Sequence, residues 1–313
     1  MKILITGPHG FVGKNLVKSL CGDNELYGLA RQREPMDGLR ECFDWGDLDR
    51  GTLPGVDAIV HLAGKAHDTR NSTAAEVYFR VNRDLTVKLY HYFLEHKAVR
   101  TFVFFSSVKA AADKVTADCL VEDVTPAPAG PYGESKRQAE DYVLHHPCQD
   151  GRRVLILRPC MMHGPGNKGN LNLLYKVLSL GLPWPLGAFD NRRSFASIDN
   201  VVYVVRRLLE EEVPSGIYNL ADDESLSTNE LVDVVCGALG RKAHIWKFGR
   251  GFMTLAARAG DALHLPLNTE RLAKLTENYV VSNTKIKQAL HIGRMPVRAR
   301  DGLARTIRSF VNG

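Results

Sequence analysis

Near its start the chain reads Lys2-Ile3-Leu4-Ile5-Thr6-Gly7-Pro8-His9-Gly10-Phe11-Val12-Gly13, and this stretch decides the fold. Lys2 to Thr6 is a short apolar run with the character of a strand. Three glycines follow at once, and Phe11, Val12, Leu16, Val17 and Leu20 then recur at helical spacing. Strand, glycine-rich turn and helix in that order let backbone amides and a helix N-terminus approach a pyrophosphate, as a dinucleotide-binding turn requires. Further strands are expected at 25–30, 56–62, 102–105 and 153–157, with helical patterns between them. That alternation predicts an α/β fold built on a doubly wound parallel sheet.

The strand ends carry the candidate site. The second strand ends at Arg31, where an acid would bind the ribose hydroxyls of NAD. An arginine there suits a ribose carrying a phosphate, so NADP(H) is favoured over NAD(H), and Arg33 is expected as an exposed loop residue. The next strand ends in Ala63-Gly64, small enough for a cofactor to lie against it. Residues 74–96 predict one long amphipathic helix with Val77, Val81, Leu85, Leu89 and Phe93 along its apolar stripe, a core or dimer face. The strand through Phe105 runs into Ser106-Ser107 at the carboxyl edge. A loop with Pro126 and Pro128 leads to Pro131-Tyr132-Gly133-Glu134-Ser135-Lys136. Tyr132 and Lys136, four apart, share one helix face, where an ammonium can favour the phenolate and make a tyrosine usable as an acid or base.

Beyond Pro165 the pattern changes. Helices are expected at 170–180 (Leu171, Leu174, Leu178 inward), at 201–209 and at 227–239, the last opened by Ser227 with Glu230 close behind. A strand at 216–220 and a terminal helix at 298–311, with Leu303, Ile307, Phe310 and Val311 inward, complete the chain. Residues 1–165, with contributions from about 193–222, should form the dinucleotide-binding domain; 166–313 should form a smaller, interleaved substrate-binding lobe.

The 313 residues carry a formal charge of +6, with Lys and Arg spread among Asp and Glu and no basic block. A polyanionic small molecule is therefore expected as partner, and nucleic acid is not. No apolar run approaches the ~20 residues that span a bilayer, so a cytoplasmic protein with no membrane partner is expected. Six scattered cysteines lack metal spacing and should be reduced, mostly core residues; no metal is expected.

With Gly7-x-x-Gly10-x-x-Gly13, Ser107 and Tyr132-x-x-x-Lys136 in order, the chain resembles the extended short-chain dehydrogenases, the nucleotide-sugar epimerase/dehydratase family. Phe105-Ser-Ser-Val-Lys109, His163-Gly-Pro-Gly-Asn-Lys-Gly-Asn170, Asn191-Arg-Arg-Ser-Phe195 and Asp199-Asn200 look like its UDP-glucose 4-epimerase-like subgroup. That subgroup includes 4-keto reductases forming UDP-N-acetylquinovosamine or its fucosamine epimer for surface polysaccharides. The resemblance implies a Rossmann fold, a UDP-sugar substrate and a homodimer through helices 74–96 and 132–146. It implies that Tyr132 transfers the proton at the sugar 4-hydroxyl, Ser107 hydrogen-bonds that oxygen, and Lys136 holds the nicotinamide ribose and depresses the Tyr132 pKa. Gly7, Gly10 and Gly13, with Phe11 and Val12, would hold the pyrophosphate; Asp47 and Leu48 would lie at the adenine, Ala63 and Gly64 at the ribose, and Pro159 beside the cofactor. Asn170 and Arg193 would meet the substrate diphosphate, with Arg192 a solvated neighbour.

The chain also departs from that family. Ala110-Ala111-Ala112 replaces the usual Val-Tyr-Gly, which removes an aromatic near the sugar, and His163, read as a loop residue with no part in proton transfer, replaces a common tyrosine. A reductase acting on a UDP-4-keto-6-deoxy-N-acetylhexosamine is the favoured reading. A UDP-hexose 4-epimerase is the alternative, and a non-catalytic dinucleotide sensor the alternative of another class. A 4,6-dehydratase would place an Asp-Glu pair where Val108 follows Ser107.

Overall fold

The computed structural model describes residues 1–66, 73–167, 170–263 and 268–311. Its strands are β1 (Lys2–Thr6), β2 (Glu25–Ala30), β3 (Glu41–Asp44), β4 (Ala58–His61), β5 (Thr101–Phe105), β6 (Arg153–Pro159), β7 (Met161–His163), β8 (Arg192–Arg193), β9 (Phe195–Ser197), β10 (Gly216–Leu220) and β11 (Leu226–Ser227). Seven of them form one parallel sheet in the order β10-β6-β5-β4-β1-β2-β3. The order reverses at β1, so the carboxyl ends of β1 and β4 diverge beneath their connections and open a crevice.

Helices α1 (Phe11–Leu20) and α7 (Ile198–Glu210) cover one face, burying Leu16, Val17, Val201 and Val205 against Ile3, Ile5, Val103 and Leu155. On the other face α4 (Leu85–Glu95) and α5 (Gly130–His145) bury Leu89, Phe93, Ala139 and Val143 against Leu4, Ile59, Phe102 and Ile156. The strands are apolar on both sides because both faces are covered. The expected doubly wound sheet is present, with two elements that pattern reading passes over: β3 and the short helix α2 (Trp45–Arg50) behind it.

A third core gathers Trp184, Leu186, Val232, Val235, Met253, Leu303 and Ile307. It joins α6 (Asn170–Ser179), α8 (Thr228–Ala238), α9 (Arg250–Ala262), α10 (Thr269–Thr276) and α12 (Ala299–Val311); α11 (Thr284–Ala289) packs by β10. The Ser227–Glu230 capping box expected at α8 is formed in both directions.

Three expectations need correction. Residues 74–96 are not one α-helix: α3 (Ala75–Tyr78) passes through a π-helical segment (Phe79–Asp84) before α4. The wider turn rotates the face, so Asn82 and Thr86 are buried while Val77, Val81 and Leu85 are only half-buried. Val311 is 54% exposed, since the last turn of α12 runs past the core it covers. His163 lies in a strand, fully buried, between Thr306 (Nδ1 to Oγ1, 3.0 Å) and Asp222 (Nε2 to Oδ2, 3.5 Å).

Candidate active site

The glycine turn is shaped by backbone contact. Gly7 has φ +66°, a left-handed conformation that costs glycine nothing, and its amide donates to Leu29 O (2.9 Å). A Cβ on Gly13 would stand 2.4 Å from Gly7 O and 2.5 Å from Pro8 O, so only hydrogen fits where α1 meets the turn. Gly10 caps α1 with extended backbone and no side-chain cap. The first amides of α1 thus face a turn whose ends, Gly7 and Gly10, carry no side chain, a cradle that fits a pyrophosphate. Phe11 and Val12 are half-buried beside it, and the Phe11 ring lies 3.2 Å from where a Cβ on Gly164 would stand. Pro159, in register with Leu220, ends β6.

A buried polar chain sets the next wall of the crevice. Thr6 Oγ1 accepts from the amides of Leu62 (3.1 Å) and Ala63 (2.9 Å), so its own proton goes to His61 Nδ1 (2.8 Å). His61 Nε2 then donates to Thr86 Oγ1 (2.9 Å), which donates to Asn82 O (2.7 Å). This order assigns a neutral His61, and complete burial, with Lys136 nearby, lowers its pKa to about 3. The Asn82 side chain binds both Lys65 N (2.7 Å) and Lys65 O (3.2 Å) and donates to Ser135 Oγ (3.0 Å). It therefore fastens the Ala63-Gly64 loop to α5. Sequence reading missed Asn82, which falls outside the Val77-Val81-Leu85 stripe and is turned inward by the π-helical segment.

On α5, Lys136 is 5% exposed, and its Nζ donates to Phe105 O (2.7 Å) over the Phe104 ring. A Cβ on Gly64 would lie 3.2 Å from that nitrogen, so the loop and the ammonium share one space. Ser107 caps the short 3₁₀ turn Val108–Ala110 and hydrogen-bonds Tyr132. Gly133 brings the two together: its position admits no Cβ, which would meet Lys109 O at 2.6 Å. Ser107, Tyr132 and Lys136 therefore converge at the carboxyl end of β5.

Their electrostatics differ from the expectation. Burial pushes the Tyr132 phenol up, Ser107 pulls it partly back, and Tyr78 raises it again. Burial lowers Lys136 to about 8, with Glu140 opposing. The Lys136 ammonium is turned to the Phe105 carbonyl and is not among the groups that shift the Tyr132 phenol.

At the far end of the crevice, Asp47 is buried and accepts from Asp44 N (2.8 Å), from Arg50 (2.7 Å) and from Arg33. The Asp44 amide, with Arg50 and Arg33 beside it, holds its carboxyl down to about 2. Arg33, expected as a solvated loop residue, is thus tied to Asp44 and Asp47. Arg31 is exposed, with no hydrogen bond or ion pair recorded among the described residues. The Leu48 side chain packs into the core under β2 and β3.

From the lobe, Arg193 is half-buried with Nη2 3.3 Å from Glu277 Oε1, and burial lowers its pKa. Arg192 reaches Ser225 and Glu230 at the surface. Arg193 pairs with Tyr279, whose hydroxyl donates to Ala112 O (2.6 Å) beside Ser107. Ala110, Ala111 and Ala112 are buried, and the Tyr279 hydroxyl reaches both Val108 O (3.3 Å) and Ala112 O across this turn. The Asn170 side chain lies outside the described residues. All six cysteines are free, three of them buried, and no cluster of metal-ligating side chains occurs among the described residues.

The profile of the NAD dependent epimerase/dehydratase family matches residues 3–221. A UDP-glucose 4-epimerase of Vibrio cholerae is 32% identical over 253 residues, 76% of this chain and 76% of its own. The N-acetyl-alpha-D-glucosaminyl-diphospho-ditrans,octacis-undecaprenol 4-epimerase of Escherichia coli O157:H7 is 27% identical over 304 residues, 91% of this chain and 84% of its own. In fold, UDP-N-acetylglucosamine 4-epimerase from Bacillus cereus matches with TM-score 0.77 and 22% identity, covering 100% of both chains. The glycine cradle at a sheet reversal, the Ser-Tyr-Lys convergence and these matches lead to one assignment: the chain belongs to the NAD dependent epimerase/dehydratase family of nucleotide-sugar enzymes.

Proposed function

We propose that the protein reduces the 4-ketone of a UDP-4-keto-6-deoxy-N-acetylhexosamine, drawing on NADPH. The observation that carries this is geometric: Gly133 packs the start of α5 against the turn that Ser107 caps, which sets the Tyr132 phenol against Ser107, with Lys136 buried behind them on Phe105 O. A reduction needs an acid at the ketone oxygen, whereas an oxidation would begin with a base. Ser107 binds that oxygen, Tyr132 gives it a proton, and Lys136 holds the ribose that positions the ring. The bound dinucleotide, when present, supplies the hydride to carbon 4. Gly7, Gly10 and Gly13 hold its pyrophosphate, Asp47 and Leu48 flank its adenine, and Ala63, Gly64 and Pro159 border the rest. Arg193 and Asn170 hold the sugar diphosphate.

The exposed, unpaired Arg31 is the group that supports NADP(H), with Arg33 close by on the Asp44-Asp47 pair. Arg31→Asp should weaken NADPH binding about tenfold relative to NADH, a difference of ~1.4 kcal/mol; an unchanged ratio in titration calorimetry would sink the cofactor choice. The functional test is absorbance of NADPH on mixing with the 4-keto sugar nucleotide. Loss of signal supports the reductase, and a stable signal removes it.

A second reading, a 4-epimerase, is favoured by the two relatives described above, which are named as 4-epimerases on a nucleotide and on a polyprenol carrier. It predicts interconversion of UDP-hexoses on a retained cofactor with no net NADPH loss. A homodimer through the 74–96 segment and the 132–146 part of α5 belongs to the same proposal.

A further inference from the structure

The face of α9 that points away from the lobe core is apolar. Met253, Ala257 and Gly260 face inward, while Phe252, Leu255, Ala259 and the C-cap Leu263 fall at i, i+3, i+7 and i+11 along a separate, exposed stripe. Phe252, Leu255 and Leu263 are 60, 66 and 68% exposed. The stripe continues through ring contacts from Phe252 to Phe248 (5.6 Å) and from Phe248 to Trp246 (5.7 Å), whose indole is 54% exposed. A contiguous patch of this kind marks an interaction surface rather than ordinary surface scatter.

Charge selects the partner. Between positions 241 and 263 stand Arg241, Lys242, Lys247, Arg250 and Arg258 against a single acid, Asp261. None of the five basic side chains has an ion pair among the described residues. Five bases against one acid give this segment +4, a local excess that the chain-wide spread of charge hides, and it adjoins the exposed Trp246, Phe248 and Phe252. A Trp/Phe/Leu face rimmed by Lys and Arg matches the interface of an anionic bilayer, where the rings enter the headgroup boundary and the cations meet phosphates. We propose that the α9 face of the lobe docks on an anionic membrane surface. No helix among the described residues is long and apolar enough to cross a membrane, so the contact is peripheral. This revises the expectation of no membrane partner. It is independent of the reaction assigned above, because the stripe contains none of the residues placed in the crevice.

The test is sedimentation of the full chain with phosphatidylglycerol-containing vesicles and with pure phosphatidylcholine vesicles. The docked state predicts at least tenfold stronger partition to the anionic vesicles, lost at ~1 M salt where the screening length falls to ~3 Å. Phe252→Glu with Leu255→Glu, and separately Lys247→Glu with Arg258→Glu, should each reduce partition about tenfold. Both should keep the wild-type melting temperature and turnover of the soluble substrate. Brominated lipid should quench fluorescence in the wild type and much less in Trp246→Phe. Failure of the wild type to sediment with anionic vesicles overturns the proposal, as does wild-type partition in both double variants. A dimer that dissociates in the Phe252/Leu255 variant would instead make the face a contact between copies, which also overturns it.

Discussion

Gly133→Ala separates stability from positioning. Within α5 the substitution removes a flexible residue, which by itself stabilises a helix by ~0.5–1 kcal/mol. Here, however, the new Cβ would stand 2.6 Å from Lys109 O, whereas carbon and oxygen in ordinary contact keep roughly 3.3 Å. Either the start of α5 or the turn after Ser107 must move by about 0.7 Å. Overpacking of this kind costs ~1–3 kcal/mol, so the net loss should be modest, about 0.5–2 kcal/mol. The displacement falls directly between Ser107 and Tyr132, and a misplacement near 1 Å in reacting geometry costs ~10²-fold in rate. We therefore expect turnover, read by nicotinamide absorbance, to fall 10- to 100-fold while the chain stays folded in thermal melts. Gly237→Ala in α8, where a Cβ would meet nothing within 4 Å, is the control and should be neutral or slightly stabilising with full turnover. Equal activity in the two variants would refute the account of Gly133.

Other consequences follow from the same structure. Glu277→Gln frees Arg193 from its carboxylate, so UDP affinity by calorimetry should rise about fivefold; an unchanged or weaker affinity would remove Arg193 from the diphosphate site. His61 has a pKa of about 3 in the fold against about 6.5 when unfolded, so the unfolded chain binds the extra proton. Its contribution is present above about pH 6.5 and is lost as pH falls toward 3. Denaturant midpoints of His61→Gln should accordingly fall less steeply than wild type across that window, and parallel curves would contradict a neutral buried histidine.

Much of the fold was legible because its signals are local. The run Lys2–Thr6, the glycines and the α1 stripe specify one another, and the Ser227–Glu230 cap appears in the structure as it reads in the sequence. The edge strand β3 was not legible, since it has four residues and only Cys42 and Phe43 buried. The π-segment was hidden for a different reason. A stripe assumed to advance 100° per residue places Val81 inward, whereas the observed turn buries Asn82 and thereby builds the clamp on Lys65.

The site shows the same division. Tyr132 and Lys136 share a helix face as their spacing predicts, yet burial, a long-range effect, raises the Tyr132 phenol where Lys136 was expected to lower it, and the Lys136 ammonium is taken by the Phe105 carbonyl. Arg33 could not be distinguished from a solvated arginine until α2 placed Asp44 and Asp47 beside it. Likewise, nothing within residues 110–112 announces the Tyr279 hydroxyl bonded to Ala112 from the other end of the chain.

The central claim, that Ser107, Tyr132 and Lys136 form a reacting site and not merely a dinucleotide-binding one, is tested most directly with Tyr132→Phe. The variant keeps the ring against Tyr78 and loses only the oxygen. Turnover of the sugar nucleotide should fall by at least ~10²-fold while NADPH affinity, measured by fluorescence, stays within about twofold. Turnover retained in Tyr132→Phe would contradict the account.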